Sequence, residues 1–312
     1  MKIVFLGTPA FAVPALKRLV RSRHEITAVL TQPDRPQGRG MQLAPPPIKE
    51  TSRELGLTVM QPEKASSPSS LQSVRELRPD AAVVVAYGQM LKRDFLDLPH
   101  HGCINLHPSL LPRYRGPTPI QSALLAGEHT TGVTTILLDE GMDTGDILLQ
   151  RETEIVDDDT FGTLHDKLAG VGADLVVETL DDLEAGDVVP RRQDESSATV
   201  THKFSKNDAI IDWTQSPQLV NNLIRAMTPW PGCRTTLHGS MLKILKAVPH
   251  VEGDMKKGEP GQILLAGSDG LMVQAGRGIV RILELQRAGG RGMSVEEFLR
   301  GHPIEEGTLL GS

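Results

Sequence analysis

Short, predominantly apolar runs alternate with amphipathic stretches in the first part of the chain. The apolar runs lie at residues 2–6, 26–30, 57–60 and 81–86. Strands that are apolar on both faces are typical of a parallel sheet covered on each side by helices. Helical periodicity separates these runs at residues 11–20, 48–55 and 71–77. The alternation predicts an α/β fold, a Rossmann-like parallel sheet with right-handed crossovers.

The next two apolar runs, residues 102–106 and 132–138, flank a helical stretch at Pro119–Ala126. We predict two parallel strands joined by a helix, whose carboxyl ends meet at one edge of the sheet, where ligands bind. Asn105 and His107 are two residues apart, so an extended chain points both side chains to one face. Asp143 follows the second strand. The pattern therefore predicts an amide, an imidazole and a carboxylate in one place.

Each of these three residues also has an ordinary interpretation. A histidine at a strand end is usually a surface or hydrogen-bonded residue, and an asparagine in a strand is usually at an edge or turn. Asp143 lies in GMDTGD, which is also typical turn chemistry. These interpretations weaken when all three residues fall at strand ends of one unit.

The remainder of the chain predicts a second domain. A long helix at residues 161–183 ends before Gly186, and a polar stretch without helical periodicity follows it. We predict domains at residues 1–186 and 205–312, joined by a linker at 187–204. After a short helix at Pro217–Met227, short strand-like runs separated by glycine-rich turns predict a small β-barrel. The runs lie at residues 234–237, 241–248, 262–266, 271–274 and 279–286.

Composition narrows the classes of protein. The chain has 312 residues and two cysteines, Cys103 and Cys233, too few for a disulfide framework, which indicates a reduced compartment. The first residues do not resemble a signal peptide, and no apolar run approaches the length of a membrane span, so we expect a cytoplasmic protein. The net charge is −6, but residues 201–312 carry 13 Lys and Arg against 11 Asp and Glu. A mildly basic second domain is compatible with binding RNA.

Two nucleotide-binding motifs are missing from the sequence. The turn after the first predicted strand reads GTPAFA and lacks the G-x-G-x-x-G pattern that lets a backbone approach a pyrophosphate. The G-x-x-x-x-G-K-[ST] pattern that cradles phosphates does not occur either. The sequence therefore disfavours a nicotinamide cofactor.

Long segments of the chain resemble the folate-dependent formyltransferase family. They are NLHPSLLPRYRGPTPIQ, DEGMDTGDIL, FLGTPAFAVPAL, QPDRPQGRG, DWTQSP and TPWPG, and the resemblance covers the whole chain. It implies that Asn105, His107 and Asp143 are the catalytic residues. It also implies two folate-binding segments, a loop of Ser109, Leu110, Leu111 and Pro112, and a pterin wall near Tyr87, Gly88, Gln89 and Met90.

The resemblance further implies a reaction and its partners. The expected reaction moves the formyl group of 10-formyltetrahydrofolate to the α-amine of methionine carried by initiator tRNA, without a metal, in a monomer. The glycine- and proline-rich insert at residues 32–47 is expected to enter the acceptor stem, with Arg39 and Arg35 as contacts. Met41 and Gln42 stand where lysines are common. The second domain is expected to be an OB-like barrel that holds tRNA.

Two other functions remain open at this point. One is formyl transfer to a sugar amine or a purine precursor, which would need neither the insert nor the second domain. The other is RNA binding without catalysis, which would need no Asn105, His107 and Asp143 together. Arg113 and Arg115, in the loop after His107, are either solvated arginines or groups that attract the folate's glutamate tail or the phosphates of tRNA.

Overall fold

A computed structural model describes residues 1–37, 41–250 and 258–311 of the chain. The described residues form two compact units. The first comprises Met1–Pro119, Thr130–Glu154 and His165–Thr201, and the second comprises Ile120–His129, Ile155–Leu164 and His202–Ser312. No helix in the described part of the chain has the length and apolar character that crossing a bilayer requires.

The first unit is built on a seven-stranded sheet among its described residues. The strands up to residue 154 are β1 Lys2–Gly7, β2 Glu25–Leu30, β3 Arg35–Gln37, β4 Gln42–Ala44, β5 Val59–Met60, β6 Ala81–Val85, β7 Cys103–His107, β8 Thr130–Leu137 and β9 Ile147–Glu154. The order in the sheet is β5-β2-β1-β6-β7-β8-β9. The first five strands of that order pair in parallel, which confirms the predicted α/β fold.

The helices up to residue 185 are α1 Val13–Val20, α2 Pro47–Glu54, α3 Pro68–Leu77, α4 Arg93–Leu96, α5 Pro119–Ala126 and α6 Phe161–Ala185. Prolines open several of them because a missing N–H costs nothing in the first helical turn. Helix α3 shows the pattern in full, with the Ser67 side chain accepting a hydrogen bond from the Ser70 N–H ahead of Pro68. The glycine after α6, Gly186, adopts a φ of +79°, as helix ends commonly require.

One prediction about the sheet is wrong. Strand β8 pairs with β7 in the antiparallel direction, with His107 opposite Thr134 and Ile104 opposite Leu137. The two strands joined by α5 are therefore not a parallel crossover unit. Strand β8 starts beside the carboxyl end of β7 and runs back along it, so its own carboxyl end lies at the opposite edge of the sheet.

The predicted insert at residues 32–47 contains a two-stranded antiparallel ribbon. Arg35 pairs with Ala44, and Gln37 pairs with Gln42. The Lys49 ammonium lies 2.7 Å from each carboxylate oxygen of Asp34, just before the ribbon. The base of the insert is thus attached to α2, while the tip at residues 38–40 lies outside the described residues.

The second unit is an antiparallel barrel. Its elements are α7 Pro217–Met227, β10 Cys233–Leu237, β11 Ser240–His250, β12 Ile263–Gly267, β13 Gly270–Ala275, β14 Gly278–Arg287, β15 Gly292–Ser294 and α8 Val295–Gly301. The sheet order among described residues is β10-β11-β14-β13-β12, with β15 beside β14. The last residues close it, because Leu309 bridges to Gln262 next to β12 and Leu310 bridges to Leu237 of β10.

The barrel has one continuous core of buried apolar side chains. They include Trp213, Ile224, Ile244, Ile282, Leu285 and Phe298. Strands β10 and β11 meet in a two-residue turn, where His238 and Gly239 have φ values of +50° and +71°. Two positive φ angles match the right-handed twist of a tight hairpin. The barrel predicted from strand spacing is therefore confirmed as an antiparallel β domain.

The predicted linker is not a free connector. The Arg191 backbone exchanges two hydrogen bonds of 2.8 Å with Ile147, and the Arg115 N–H donates to the Thr199 carbonyl at 2.8 Å. Residues 187–201 accordingly belong to the first compact unit. Their polar sequence has no periodicity because side-chain and backbone hydrogen bonds, rather than an apolar face, attach them.

Candidate active site

Strand β7 places Asn105 and His107 on one face of the sheet. Val84 of β6 lies beside Asn105 on one side and Ile136 of β8 on the other. Only 4% of His107 is exposed, whereas Asn105 is half-buried. Within the described residues, the side-chain amide of Asn105 has no hydrogen-bond partner. Its donors are therefore available to a ligand at this face.

Both nitrogens of the His107 ring face polar groups of the protein. Nε2 lies 2.9 Å from the carbonyl oxygen of Tyr114, and Nδ1 lies 3.6 Å from Oδ2 of Asp143. A carbonyl oxygen only accepts hydrogen bonds, so Nε2 carries a proton and donates it. In the neutral ring, Nδ1 then has a lone pair directed toward the carboxylate. A second proton can be held between the imidazole and the carboxylate of Asp143.

Asp143 reaches His107 by a different route from the one predicted. The carboxyl end of β8 lies opposite Ile104, three residues of strand, or roughly 10 Å, away from His107. The loop at residues 138–146 covers that distance. The carboxylate is also held by the Gly116 N–H, which donates to Oδ2 at 2.8 Å. The three predicted residues thus come together. The prediction relied on parallel strands whose carboxyl ends meet at one edge, and β8 is antiparallel, so the loop at residues 138–146 brings Asp143 to His107 instead.

The two loops around His107 contain residues in the left-handed region of φ. Tyr114 has a φ of +62° and Asp143 a φ of +56°. Non-glycine residues at such angles persist only where surrounding contacts enforce them, and they are concentrated at functional sites. The loop of Asp143 also needs its glycines, since a Cβ on Gly145 would lie 1.8 Å from the Leu137 carbonyl oxygen.

The predicted folate loop, residues 109–112, is held by the strands beneath it. Ser109 is fully buried, and its hydroxyl donates to the Arg113 carbonyl at 2.6 Å. The Thr134 hydroxyl accepts from the Leu111 N–H at 3.1 Å. The Gln150 amide donates to the Leu111 carbonyl at 2.9 Å. The Pro112 carbonyl accepts from the Thr199 N–H at 3.2 Å. The loop is consequently ordered by the protein alone.

The segment from Tyr87 to Met90 follows β6, as predicted, at the carboxyl edge of the parallel strands. The Tyr87 ring is 1% exposed and packs in the core, and burial raises the pKa of its hydroxyl to about 12. Its carbonyl oxygen accepts from the Thr8 hydroxyl at 2.8 Å and from Gln32 Nε2 at 3.3 Å. Gly88 has a φ of +86°, and Met90 is exposed. Gln89 holds the neighbouring chain through the Ala65 N–H at 2.8 Å.

One of the two predicted tRNA contacts, Arg35, lies on the ribbon. Arg35 is exposed at the start of β3, and its guanidinium donates to Gln32 Oε1 at 3.2 Å. Arg39 lies outside the described residues. The ribbon therefore carries at least one exposed cation, Arg35, within the insert at residues 32–47.

Arg115 has a role that sequence reasoning missed. It is 6% exposed, and its guanidinium donates two hydrogen bonds to Glu195, at 3.0 and 2.8 Å, and one to Gln193 at 3.0 Å. The bond to Glu195 raises the pKa of Arg115 and, from the other side, lowers the pKa of the Glu195 carboxyl. Arg115 is thus a buried ion-pair residue, not a solvated one. Arg113 is exposed and lies over the Tyr114 ring, 5.1 Å from its centroid.

Sequence reasoning also missed the polar side chains that hold the two loops. Gln193 donates to the carbonyls of Asp143 and Gly145 at 2.7 and 2.8 Å. Thr199 accepts from the Tyr114 N–H at 2.7 Å. Both residues lie in the run DVVPRRQDESSATVTHK, which shows neither apolar periodicity nor a motif. No local signal distinguishes them from solvated residues of a linker.

One cluster in the described residues has the ligand types of a metal site, namely His24, Asp181 and Glu184. Cationic groups of the protein already pair with its carboxylates. Arg23 contacts Asp181 at 2.6 Å and Glu184 at 2.9 Å, and the Met1 amine contacts Glu184 at 3.1 Å. These ion pairs account for the cluster without a metal ion.

Comparison with protein families identifies both parts of the chain. Residues 1–180 match the family described as formyl transferase, and residues 203–303 match the formyl transferase C-terminal domain. The two matches are separated by the segment that includes Gln193 and Thr199.

Several curated proteins are similar over their full length. The chain is 46% identical over 311 residues to a protein named methionyl-tRNA formyltransferase from Geobacter metallireducens, covering 100% of this chain and 99% of the relative. It is 47% identical over 313 residues to a protein of the same name from Caldanaerobacter subterraneus subsp. tengcongensis, covering 99% of this chain and 100% of the relative.

Solved structures share the fold at lower identity. The N-formyltransferase from Helicobacter canadensis, in complex with folinic acid and dTDP-3-aminofucose, has a TM-score of 0.66 at 18% identity, covering 90% of this chain and 98% of that one. HypX from Aquifex aeolicus, in complex with tetrahydrofolic acid, has a TM-score of 0.65 at 19% identity, covering 98% of this chain and 48% of that one. With both of its domains matched and close to half of its residues identical to those of full-length relatives, this chain belongs to the formyl transferase family.

Proposed function

We propose that this chain transfers the formyl group of 10-formyltetrahydrofolate to the α-amine of methionine esterified to initiator tRNA, in the cytoplasm. The observation that carries the proposal is the meeting of His107 and Asp143 beside Asn105 in the first unit. The full-length similarity to proteins named methionyl-tRNA formyltransferase supports this acceptor.

The chemistry is an acyl transfer in which the amine nitrogen attacks the formyl carbon. A carbon–nitrogen bond forms to the methionine, and the bond from the formyl carbon to N10 of the folate breaks. Between these events the carbonyl oxygen carries a negative charge. The unpaired amide of Asn105 donates to that oxyanion, and one such donor typically accelerates a reaction about 10²–10³-fold.

The attacking amine must lose a proton, and N10 of the folate must gain one. We assign this proton to His107 and Asp143 acting together, because Nδ1 and Oδ2 are 3.6 Å apart and Nε2 is already committed to the Tyr114 carbonyl. Asp143 is the more accessible partner, with 17% of its side chain exposed against 5% for His107. General acid–base groups typically contribute about 10²–10⁴-fold.

We assign the folate to the loops at residues 87–90 and 109–112. The second loop is held by Thr134, Gln150 and Thr199 through the hydrogen bonds described above. A binding site that is ordered before its ligand arrives avoids the entropic cost of ordering it on binding. Leu110 and Met90 then supply apolar contact area for the pterin, and the remaining contacts come from backbone groups.

We assign the insert at residues 32–47 to the acceptor stem of the tRNA, through Arg35 of the ribbon and through Arg39. A guanidinium presents a planar fork of donors that suits phosphates and base edges. Because the terminal pair must open for methionine to reach the site, an unpaired stem end is the easier substrate. Arg39→Ala is expected to lower kcat/KM for charged initiator tRNA and to leave folate binding unchanged. An unchanged kcat/KM would remove Arg39 from tRNA recognition.

Another acceptor, a sugar amine or a purine precursor, is the second candidate. The fold is shared with an N-formyltransferase crystallised with an amino sugar nucleotide, but that likeness concerns the fold alone. The ribbon and the full-length similarity to proteins named methionyl-tRNA formyltransferase argue for the larger acceptor.

The test is to supply the purified protein with 10-formyltetrahydrofolate and each class of acceptor separately. The acceptors are charged initiator tRNA, an amino sugar nucleotide and glycinamide ribonucleotide. We expect formyl transfer to the methionyl-tRNA alone. Transfer to either small amine at a higher kcat/KM would replace the proposal by the second candidate, and no transfer to any acceptor would refute both.

A further inference from the structure

The segment 187–201 binds both loops of the candidate site. Its Thr199 side chain accepts from the Tyr114 N–H, and its Arg191 side chain donates to Gln150 Oε1 at 2.7 Å. Gln150 in turn holds the Leu111 carbonyl. The residues that connect the two sequence-defined domains are therefore bound to the surroundings of His107.

Within this segment, Gln193 is the residue bound to the loop of Asp143. It is 4% exposed, and its Nε2 donates to the backbone carbonyls of Asp143 at 2.7 Å and Gly145 at 2.8 Å. Its Oε1 accepts from Arg115 Nε at 3.0 Å. Both amide hydrogens and the amide oxygen are thus in use. A primary amide is the uncharged side chain that offers two donors and an acceptor at this length.

Those hydrogen bonds act on the loop that carries Asp143. Asp143 has a φ of +56°. This angle costs an aspartate free energy, and it persists only where surrounding contacts enforce it. The Gly116 N–H holds the carboxylate, and Gln193 holds the backbone on either side of Thr144. The separation of Asp143 from His107 therefore depends on Gln193.

We propose that Gln193 is a positioning residue for formyl transfer, which fixes the Asp143 carboxylate beside His107. The proposal rests on the function proposed above and extends it to a segment that neither family match covers. Gln193 is 4% exposed, so we place it in contact with neither folate nor tRNA. Its loss therefore lowers kcat while the KM values for both substrates stay constant.

A chain of contacts anchors Gln193 in turn. Arg115 binds Gln193 through Nε and Glu195 through its two terminal nitrogens. Arg115 precedes Gly116, whose N–H holds the Asp143 carboxylate. The same arginine therefore links the two groups that hold Asp143, namely the Gln193 side chain and the Gly116 N–H.

The first experiment measures steady-state formylation by the full chain carrying Gln193→Ala or Gln193→Glu. The glutamate keeps the size of the side chain and the acceptor for Arg115, but it turns a carboxylate toward two carbonyl oxygens. Each variant is expected to lower kcat about 10- to 100-fold, because small misplacements of catalytic groups have effects of that size. Gln72→Ala, at an exposed glutamine of α3, is the matched control and should equal wild type.

The second experiment separates positioning of Asp143 from a general structural role. Single-turnover rates are measured with enzyme in excess for wild type, Gln193→Ala, Asp143→Asn and the double variant. If Gln193 acts through Asp143, the Gln193 substitution should slow the Asp143→Asn enzyme by no more than about twofold. Gln193→Glu repeats the cycle if the alanine variant fails to fold.

The outcomes are distinct from those of the proposed function. Wild-type protein that formylates no methionyl-tRNA refutes the function. Active wild type with a Gln193→Glu kcat within about twofold of it refutes the positioning role alone. An equal loss in the wild-type and Asp143→Asn backgrounds assigns Gln193 to the structure generally and also refutes the role.

Discussion

The barrel of the second unit and the loops around His107 in the first unit hold their shape by different means. In the barrel, ladders of paired strands and a continuous apolar core determine the structure, and the positive φ of His238 occurs in the tight turn between β10 and β11. In the first unit, strand β7 carries Asn105 and His107, but the groups that contact the His107 ring lie in loops, where Tyr114 and Asp143 have positive φ. A few polar side chains support these loops. The arrangement of the catalytic groups therefore depends on few contacts. A single substitution should disrupt it more easily than it disrupts the barrel.

The largest expected effect concerns the two polar side chains that β7 carries, Asn105 and His107. Asn105→Ala removes a donor to the oxyanion and should lower kcat about 10²–10³-fold. His107→Ala removes the imidazole and should lower kcat about 10²–10⁴-fold. Steady-state formylation of methionyl-tRNA measures both values, and the thermal midpoint should show that both proteins are folded. His100→Ala, at an exposed histidine, is the control. Wild-type kcat in either variant would exclude that residue from the mechanism.

The second prediction compares the cores of the two units. Ile3 of β1 and Ile282 of β14 are both fully buried, so Ile→Ala at either should cost about 2–5 kcal/mol of unfolding free energy. Both tryptophans, Trp213 and Trp230, belong to the second unit. Denaturation followed by tryptophan fluorescence should therefore detect Ile282→Ala, while loss of folate binding should detect Ile3→Ala.

The distinction between the units fails if each substitution shifts both signals equally. That result would mean that the chain unfolds as one cooperative body. Val→Ala at the exposed Val189 of the segment 187–201 is the control, and it should move neither transition.

The smallest expected effect is a pH dependence that belongs to the first unit alone. Burial, followed by the nearby Met1 amine, lowers the pKa of His24 below its ordinary 6.5. The unfolded chain therefore takes up a proton before the folded one as the pH falls. Stability that His24 contributes above pH 6.5 is lost progressively below that value.

His24→Gln should consequently flatten the dependence of the unfolding midpoint on pH between about pH 7 and pH 5. The midpoint is measured by loss of folate binding, and His100→Gln serves as the control for an exposed histidine. A slope identical to that of wild type would show that His24 does not carry this dependence.

Much of this arrangement follows from the amino-acid sequence. The buried parallel strands, the helix Pro119–Ala126 and the barrel strands were all predictable because apolar periodicity encodes burial. The proposal that Asn105, His107 and Asp143 carry the chemistry also comes from the sequence, and the structure brings Asp143 to His107. The direction of β8 did not follow from the sequence, because an apolar run at residues 132–138 is the same in either direction. That direction is set by the residues between the two strands, which lead the chain to the carboxyl end of β7, beside which β8 starts.

The residues that hold the loops of the site could not be predicted from the sequence either. Gln193 and Thr199 act through hydrogen bonds to backbone groups about 50 and 85 residues away in the chain, namely the carbonyl of Asp143 and the N–H of Tyr114. Such contacts leave no periodicity. Arg115 likewise resembles a solvated arginine until its contacts with Glu195 and Gln193 are seen.

The central claim is that the Asp143–His107 pair acts in the chemical step of formyl transfer. It is tested most directly by a single-turnover measurement on preformed complexes with 10-formyltetrahydrofolate and methionyl-tRNA. Asp143→Asn keeps the size of the side chain, and an oxygen that accepts from the Gly116 N–H, but it removes the negative charge. The rate of formyl transfer should fall by at least about 10²-fold, with both substrates bound as tightly as by wild type. An unchanged rate, or a fall explained entirely by weaker binding, would contradict the claim.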